Sequence, residues 1–494
     1  MLQIKPYRFW FVVGSQHLYG EDTLKEVEAN SRKMVEGLNQ QGDLPYEIEF
    51  KEVLTSAEAV SQMIVKANSD ADCGGLITWM HTFSPGKMWI AGLSSLQKPL
   101  LHFHTQFNRD IPWDSIDMNY MNIHQSAHGD REYGYTVTRL NIPRKVIVGY
   151  WEHQDVQRKV RDWMKTAVAC IESQQIRVAR FGDNMRSVAV TDGDKIEAQI
   201  KFGWTVDYYG IGDLVEMMNG ISEEQINQLF EEYRRLYDMD SEYLVPGALQ
   251  DSIKEQARIE LALKNFLQDG RYTAFTTNFE DLHGMKQLPG LAAQRLMAEG
   301  YGFAGEGDWR TAALTRLLKI MSNNQATSFM EDYTYHLQPG HEMVLGSHML
   351  EVCPSISATK PKIVVHPLGI GGKEDPARLV FDGMAGNGLV VSMIELGGRF
   401  RLVVNEIESV QPTIETPNLP VAKVLWQPLP SFSTATEAWI YAGGAHHTVF
   451  SLPVTKDQLH DFADMVKVEY VIIDANTDLN RLRQELKINE VIWK

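Results

Sequence analysis

Short apolar runs alternate with stretches of helical period along the first third of the chain, at residues 9–13, 23–39, 46–53, 74–80 and 100–104. That order of short run, amphipathic stretch and short run is βαβ grammar. Leu24, Val27, Met34 and Leu38 recur on one helical face, the stripe of a helix packed on a sheet. A doubly wound parallel sheet is the fold predicted here. Between about 176 and 324 the chain becomes helix-rich but keeps strand-like runs at 176–181 and 272–277, which reads as a second α/β domain. After Asn324 come short strands punctuated by Pro339-Gly340, Gly371-Gly372, Gly386-Asn387-Gly388 and Gly397-Gly398. This pattern predicts a β-rich barrel or sandwich, closed by a last helix over 477–486. The predicted domains are 1–170, 171–325 and 326–494.

Length agrees with that division, since 494 residues exceed one ordinary core and suggest about three domains. With 47 Lys and Arg against 64 Asp and Glu, the net charge of −17 repels phosphate backbones and anionic lipid, so neither nucleic acid nor a membrane is an expected partner. Cys73, Cys170 and Cys353 are far apart and form no C-x-x-C spacing, which fits small core residues in a reducing compartment. The N-terminus lacks the layout of a signal peptide and no segment has the apolar length of a span, so the cytoplasm is the expected location.

Several segments carry candidate chemistry. Gly14-Ser15-Gln16-His17-Leu18-Tyr19-Gly20 follows the first strand, where open α/β sheets bind ligands; it reads first as a glycine-bounded turn and second as a binding element. Gly305-Glu306-Gly307-Asp308 sets a carboxylate between glycines just before a helix, with Asp308 at its N-cap. In Thr327 onward, strand alternation sends Phe329, Glu331, Tyr333 and Tyr335 to one face. Residues 343–352 read as a strand with Val344, Gly346, His348 and Leu350 on one face. A hairpin centred on Pro339-Gly340 places Glu331 directly opposite His348, unless a bulge shifts the register by one residue. In Gly443-Gly444-Ala445-His446-His447 the two imidazoles point opposite ways, so one of them is the expected ligand. No residue of this set is specific alone: a single glutamate is usually solvated and a single histidine is usually structural. The glycine-rich 369–373 segment lacks P-loop spacing and reads as a wall that lets backbone approach a small ligand.

Taken in order, the strings G-F-A-G-E-G-D-W (302–309), T-S-F-M-E-D-Y-T-Y (327–335), L-G-S-H-M-L-E-V-C-P-S (345–355) and A-G-G-A-H-H-T-V-F (442–450), with F-V-V-G-S-Q-H-L-Y-G (11–20), resemble the L-arabinose isomerase family over nearly the whole chain. The resemblance implies two Rossmann-like, fucose-isomerase-like α/β domains and a C-terminal barrel, assembled as a homohexamer. It also implies that Glu306, Glu331, His348 and His447 hold one Mn²⁺ per subunit, with Co²⁺ or Mg²⁺ as substitutes, and that the two glutamates move protons. Gln16, Leu18, Gln125 and His128 would reach a neighbour's site, while Met185, Phe279, Tyr335 and Ile370 would line the sugar pocket. The implied activity is conversion of L-arabinose to L-ribulose through a cis-enediol held at the metal, the first step of arabinose catabolism, with D-galactose to D-tagatose as a second reaction. Two carboxylates and two imidazoles form a hard oxygen and nitrogen donor set suited to Mn²⁺. An L-fucose-isomerase-like enzyme, a metallohydrolase and a non-catalytic sugar-binding protein are the alternatives.

Overall fold

The chain begins with an open sheet in which every pairing is parallel. Its strands are β1 (Arg8–Gly14), β2 (Glu47–Leu54), β3 (Cys73–Met80), β4 (Leu100–His104) and β5 (Lys145–Val148), in the order β2-β1-β3-β4-β5. All eight residues of β3 are buried, as a central parallel strand covered on both faces requires. Trp10, Val12, Val60, Leu76, Trp89 and Tyr133 form its core. The helix Gly20–Gln41 buries Val27, Met34 and Leu38 of the predicted stripe, while Leu24 is partly exposed.

A second parallel sheet follows: β6 (Arg177–Phe181), β7 (Thr205–Tyr209), β8 (Ala274–Thr277) and β9 (Gly302–Ala304), in the order β7-β6-β8-β9. The third region contains β10 (Thr327–His336), β11 (Met343–Ser347), the ribbon β12 (Lys362–Val365) and β13 (Ala377–Val380), then β14 (Gly386–Glu395), β15 (Phe400–Val410), β16 (Lys423–Pro428), β17 (His447–Ser451) and β18 (Glu469–Ile473). Strands β14-β17-β10-β11-β16-β15 pair antiparallel in that order and β14 pairs again with β15, which closes a six-stranded barrel; β18 joins β15 in parallel outside it. The α/β class and the C-terminal barrel are therefore as the sequence pattern predicts.

The computed structural model describes residues 2–413 and 415–493. It forms two compact units, one of Ile4–Ile171 with Gln458–Val466 and the other of Glu172–Asp457 with the chain ends. Among the described residues no helix is long and apolar enough to cross a membrane.

Within the second unit, helix Trp309–Met321 is buried along its whole length, packing on β8 and β9 on one side and on β10, β14 and β17 on the other. Its three cations reach backbone carbonyls: Arg310 donates to Val190 O at 2.6 Å, Arg316 to Gly300 O at 2.9 Å and Lys319 to Thr327 O at 2.9 Å. Buried charges that find carbonyl partners cost less than bare ones, though Nε of Arg310 and of Arg316 stays unpartnered.

The structure corrects several expectations. β11 ends at Ser347, so His348 lies just past the strand, and the last helix runs Leu479–Ile492. A bulge at Tyr333 breaks the β10–β11 ladder: Thr334 faces Leu345, but Asp332 faces Gly346 and Glu331 faces Ser347. Glu331 is thus one place short of His348. The extra residue also reverses the alternation, putting Tyr335 on the Asp332 side, where it lines a cavity of about 40 Å³ with Trp426. Cys73 and Cys353 are buried as expected, and Cys170 is half-buried. Gly346 fits this ladder because a Cβ there would run into the Trp426 ring. Gly346→Ala is expected to cost about 1–3 kcal/mol through overpacking, read as a fall of several degrees in Tm.

Candidate functional site

β9 ends in Gly305-Glu306-Gly307, and the chain turns there into the buried helix. Glu306 takes a left-handed backbone (φ 62°), as does Gly307 (φ 78°). For a residue with a Cβ that conformation costs of order 1 kcal/mol. The Glu306 carbonyl accepts the Met185 N–H at 2.9 Å, and Gly307 donates to Thr277 O at 3.1 Å. Each glycine has a reason: a Cβ on Gly305 would come 2.9 Å from Cε1 of His348, and one on Gly307 would meet Asp183 O at 2.5 Å.

Asp308 caps the helix as predicted, accepting from Thr311 N at 3.0 Å. Its other oxygen accepts from Nδ1 of His447 at 3.0 Å. Burial alone would raise this carboxyl, but the bond to His447 and its charge, with Arg310 and Thr311, hold it below its ordinary range.

His447 opens β17, is 0% exposed, and stands directly opposite Glu331 of β10. Its Nε2 is buried with no hydrogen-bond partner and lies 3.7 Å from a Glu306 oxygen. His348 donates or accepts at Nδ1 with Glu351 at 2.5 Å, and its ring is 6.0 Å from that of His447. Phe329 packs against both imidazoles, at 4.9 and 5.2 Å. Burial would lower His348, but the charges of Glu351, Glu331 and Glu306 hold it up at about 9. Burial raises Glu331, opposed by the imidazoles of His348 and His447 and reinforced by Glu306.

The structure thus gathers Glu306, Glu331, His348 and His447 in one place. It adds three residues to that set. His446 belongs with Glu306 and His447: their ligand atoms all lie within 4.8 Å of one another and could hold a metal ion. The expectation of a single ligand from the pair assumed strand alternation, but His446 precedes the strand and its ring lies 4.5 Å from that of His447. Asp308 and Glu351 each fix one imidazole through Nδ1 and leave Nε2 to face the cluster, the arrangement found behind metal-bound histidines. A carboxylate three residues after His348 was visible in the sequence; the 139-residue separation of Asp308 and His447 gave no such signal.

Of the other expected residues, Met185 and Phe279 are half-buried beside this region, Met185 through its bond to Glu306 and Phe279 just past β8. Ile370 is 41% exposed on the glycine-rich segment, and Tyr335 lies on the Asp332 side described above. Gln16, Leu18, Gln125 and His128 lie in the first unit. Gln16 and Leu18 follow the carboxyl end of β1, Leu18 being 82% exposed; Gln125 binds Asn122 O, and the exposed His128 packs on Phe83 at 4.7 Å.

A buried imidazole nitrogen without a partner, an adjacent carboxylate and carboxylates behind the rings define the class, a protein with a site able to hold a metal ion on oxygen and nitrogen donors. Family models for the N-terminal, central and C-terminal domains of L-arabinose isomerase match residues 3–175, 177–324 and 326–469. The L-arabinose isomerase of Halalkalibacterium halodurans is 63% identical over 490 residues, 99% of each chain. That of Geobacillus stearothermophilus is 61% identical over the full length of both, and that of Bacillus subtilis 58% identical over 100% of this chain and 99% of the relative. The chain belongs to the L-arabinose isomerase family and is an aldose–ketose isomerase.

The Gly305 contact makes a prediction. Gly305→Ala should displace the His348 ring and lower kcat about tenfold to a hundredfold, with Tm nearly unchanged; steady-state kinetics and a thermal melt on one preparation check both.

Proposed function

We infer that the chain converts L-arabinose to L-ribulose at the cluster of Glu306, Glu331, His348 and His447, with Mn²⁺ as the resident cation. The observation that carries this is Nε2 of His447, buried, unpartnered and 3.7 Å from the Glu306 carboxylate. A divalent cation bound there supplies Lewis-acid charge for the vicinal oxygens of an open-chain sugar. The protein's own groups do the rest. His447 is fixed in one tautomer by Asp308, and His348 is oriented by Glu351. Glu331, raised by burial, suits a carboxyl that takes a proton from one sugar carbon and returns it to the next through a cis-enediol, with Glu306 as its partner. His446 enters the donor set by geometry.

The assembly is a homohexamer in which Gln16, Leu18, Gln125 and His128 approach another protomer's site. Exposed apolar groups of the first unit, Leu18, Trp113 at 78% and Met118 at 67%, support such a contact. Met185, Phe279 and Ile370 line the sugar pocket; Tyr335 joins them on the resemblance alone. Free thiols and the charge of −17 support a cytoplasmic protein that avoids nucleic acid. D-galactose, larger by one hydroxymethyl group, is a poorer second substrate. The functional domains are 1–170, 171–325 and 326–494.

Protein stripped with a chelator should give no L-ribulose, and added Mn²⁺ should restore turnover; failure to restore it would sink the cation's role. Glu306→Gln, Glu331→Gln, His348→Leu and His447→Leu should each lower kcat by about a hundredfold or more without unfolding. In D₂O the product should carry carbon-bound deuterium, and its absence would favour a hydride shift.

Metal affinity should also depend on pH. A ligating imidazole must be neutral, and in the metal-free protein His348 keeps its proton up to about 9, so binding a cation releases that proton. Affinity therefore rises with pH through neutrality and levels off above about 9. For stability of the metal-free fold the sign is opposite: the raised pKa contributes fully below the unfolded value of about 6.5 and is lost on passing about 9. Calorimetric Mn²⁺ titrations across this range check the first statement and melts with chelator the second.

A further inference from the structure

The strap between β12 and β13, residues 367–372, carries Ile370 and three glycines. Gly371 and Gly372 take left-handed backbone at φ 80° and 60°, and a Cβ on Gly369 or Gly372 would meet nothing within 4 Å. So soft a segment does not place Ile370 by itself. Its ends are held by two cations. Before it, the carbonyl of His366 accepts from the guanidinium of the buried Arg378. After it, Nζ of Lys373 donates to Leu282 O at 2.6 Å and Met285 O at 3.0 Å, and Glu374 N donates to Lys286 O at 2.9 Å.

Both anchors lead into the catalytic cluster. The 282–285 segment continues the loop whose Glu280 and Asp281 accept from Arg186 N at 2.9 Å and Asp183 N at 2.8 Å, and Met185 between those two donates to Glu306 O. On the other side Arg378 is acted on by the charge of Glu351, the residue that orients His348.

We infer that Lys373 is a positioning residue that fixes how far Ile370 reaches toward the sugar, and so sets both sugar affinity and the preference for L-arabinose over the larger D-galactose. This rests on the reading that Ile370 lines the sugar site. The carbonyls of Leu282 and Met285 both accept from the one Lys373 ammonium, so losing it frees the strap without touching a metal ligand.

Kinetics of the Mn²⁺-loaded full-length enzyme with both sugars test the inference. Lys373→Met should raise KM for L-arabinose about tenfold, the size of one charge-assisted hydrogen bond, with kcat changed less than about threefold, and should narrow the preference over D-galactose. Lys373→Arg should recover most of the loss. In an Ile370→Ala background the same substitution should add little, because both act through one side chain. One glycine inserted between Gly371 and Gly372 keeps both anchors and should reproduce the KM rise, which covers the case that Lys373→Met does not fold. Independent, multiplying effects of Lys373→Met and Ile370→Ala, or lost kcat at unchanged KM, would overturn the assignment of Lys373 alone. Unchanged KM in Ile370→Ala would overturn the placement of Ile370 and the inference with it, while wild-type protein inert toward L-arabinose would instead refute the functional reading.

Discussion

Much of the second unit hangs on one carboxylate. Asp308 closes the N-terminus of a helix that is buried on every side, and the same group accepts a hydrogen bond from Nδ1 of His447. A helix end inside a protein must find partners for its N–H groups, and an anionic cap there also meets the positive end of the helix dipole. A buried imidazole must likewise have its tautomer set by something. One residue meets both needs, so the position of the helix and the aim of Nε2 cannot vary independently. Removing one partner of such a buried hydrogen bond typically costs about 1–3 kcal/mol, because the other is left unsatisfied.

The second constraint is the bulge at Tyr333. A regular hairpin would have set Glu331 opposite His348 and left Tyr335 on the same face as Glu331. The inserted residue instead gives Glu331 two strand neighbours, Ser347 on β11 and His447 on β17, and leaves His348 free of the ladder to turn toward Glu351. Because the barrel closes through β14, β17 and β10 are held side by side, and the Glu331 to His447 contact belongs to barrel closure rather than to a local turn.

How much of this the sequence discloses follows from the distance over which each feature is encoded. The strands of the first sheet and the stripe of helix Gly20–Gln41 are local periodicities, and they are legible to within a few residues. The change to β texture after Asn324 is legible for the same reason. The buried helix is not: Trp309-Arg310-Thr311 and the later Arg316 and Lys319 give it a polar look, and only the distant carbonyls of Val190, Gly300 and Thr327 reconcile those cations with full burial. The register at Glu331 could be posed from the turn but not decided, since a bulge leaves the composition of the strands unchanged. Glu306 and His447 stood on long motif strings, because the pairing that joins β10 to β17 spans more than a hundred residues. Alternation predicts that one imidazole of the His446-His447 pair turns to the site, and it fails because the strand does not begin until His447.

Glu306 shows why these long-range constraints matter to chemistry. A glutamate in left-handed backbone is strained, and nothing in its own tripeptide obliges it to stay there. It is held because its carbonyl is taken by Met185, because the next N–H is taken by Thr277 at the end of β8, and because Gly305 and Gly307 let the His348 ring and the Asp183 carbonyl close in on either side. Each of those contacts comes from a different element, so the strain is offset by packing distributed through the second unit. The backbone that carries this carboxylate, 3.7 Å from an unpartnered imidazole nitrogen, therefore has little freedom left to lose when a ligand arrives, and restraint of that kind made during folding lowers the ordering cost of binding.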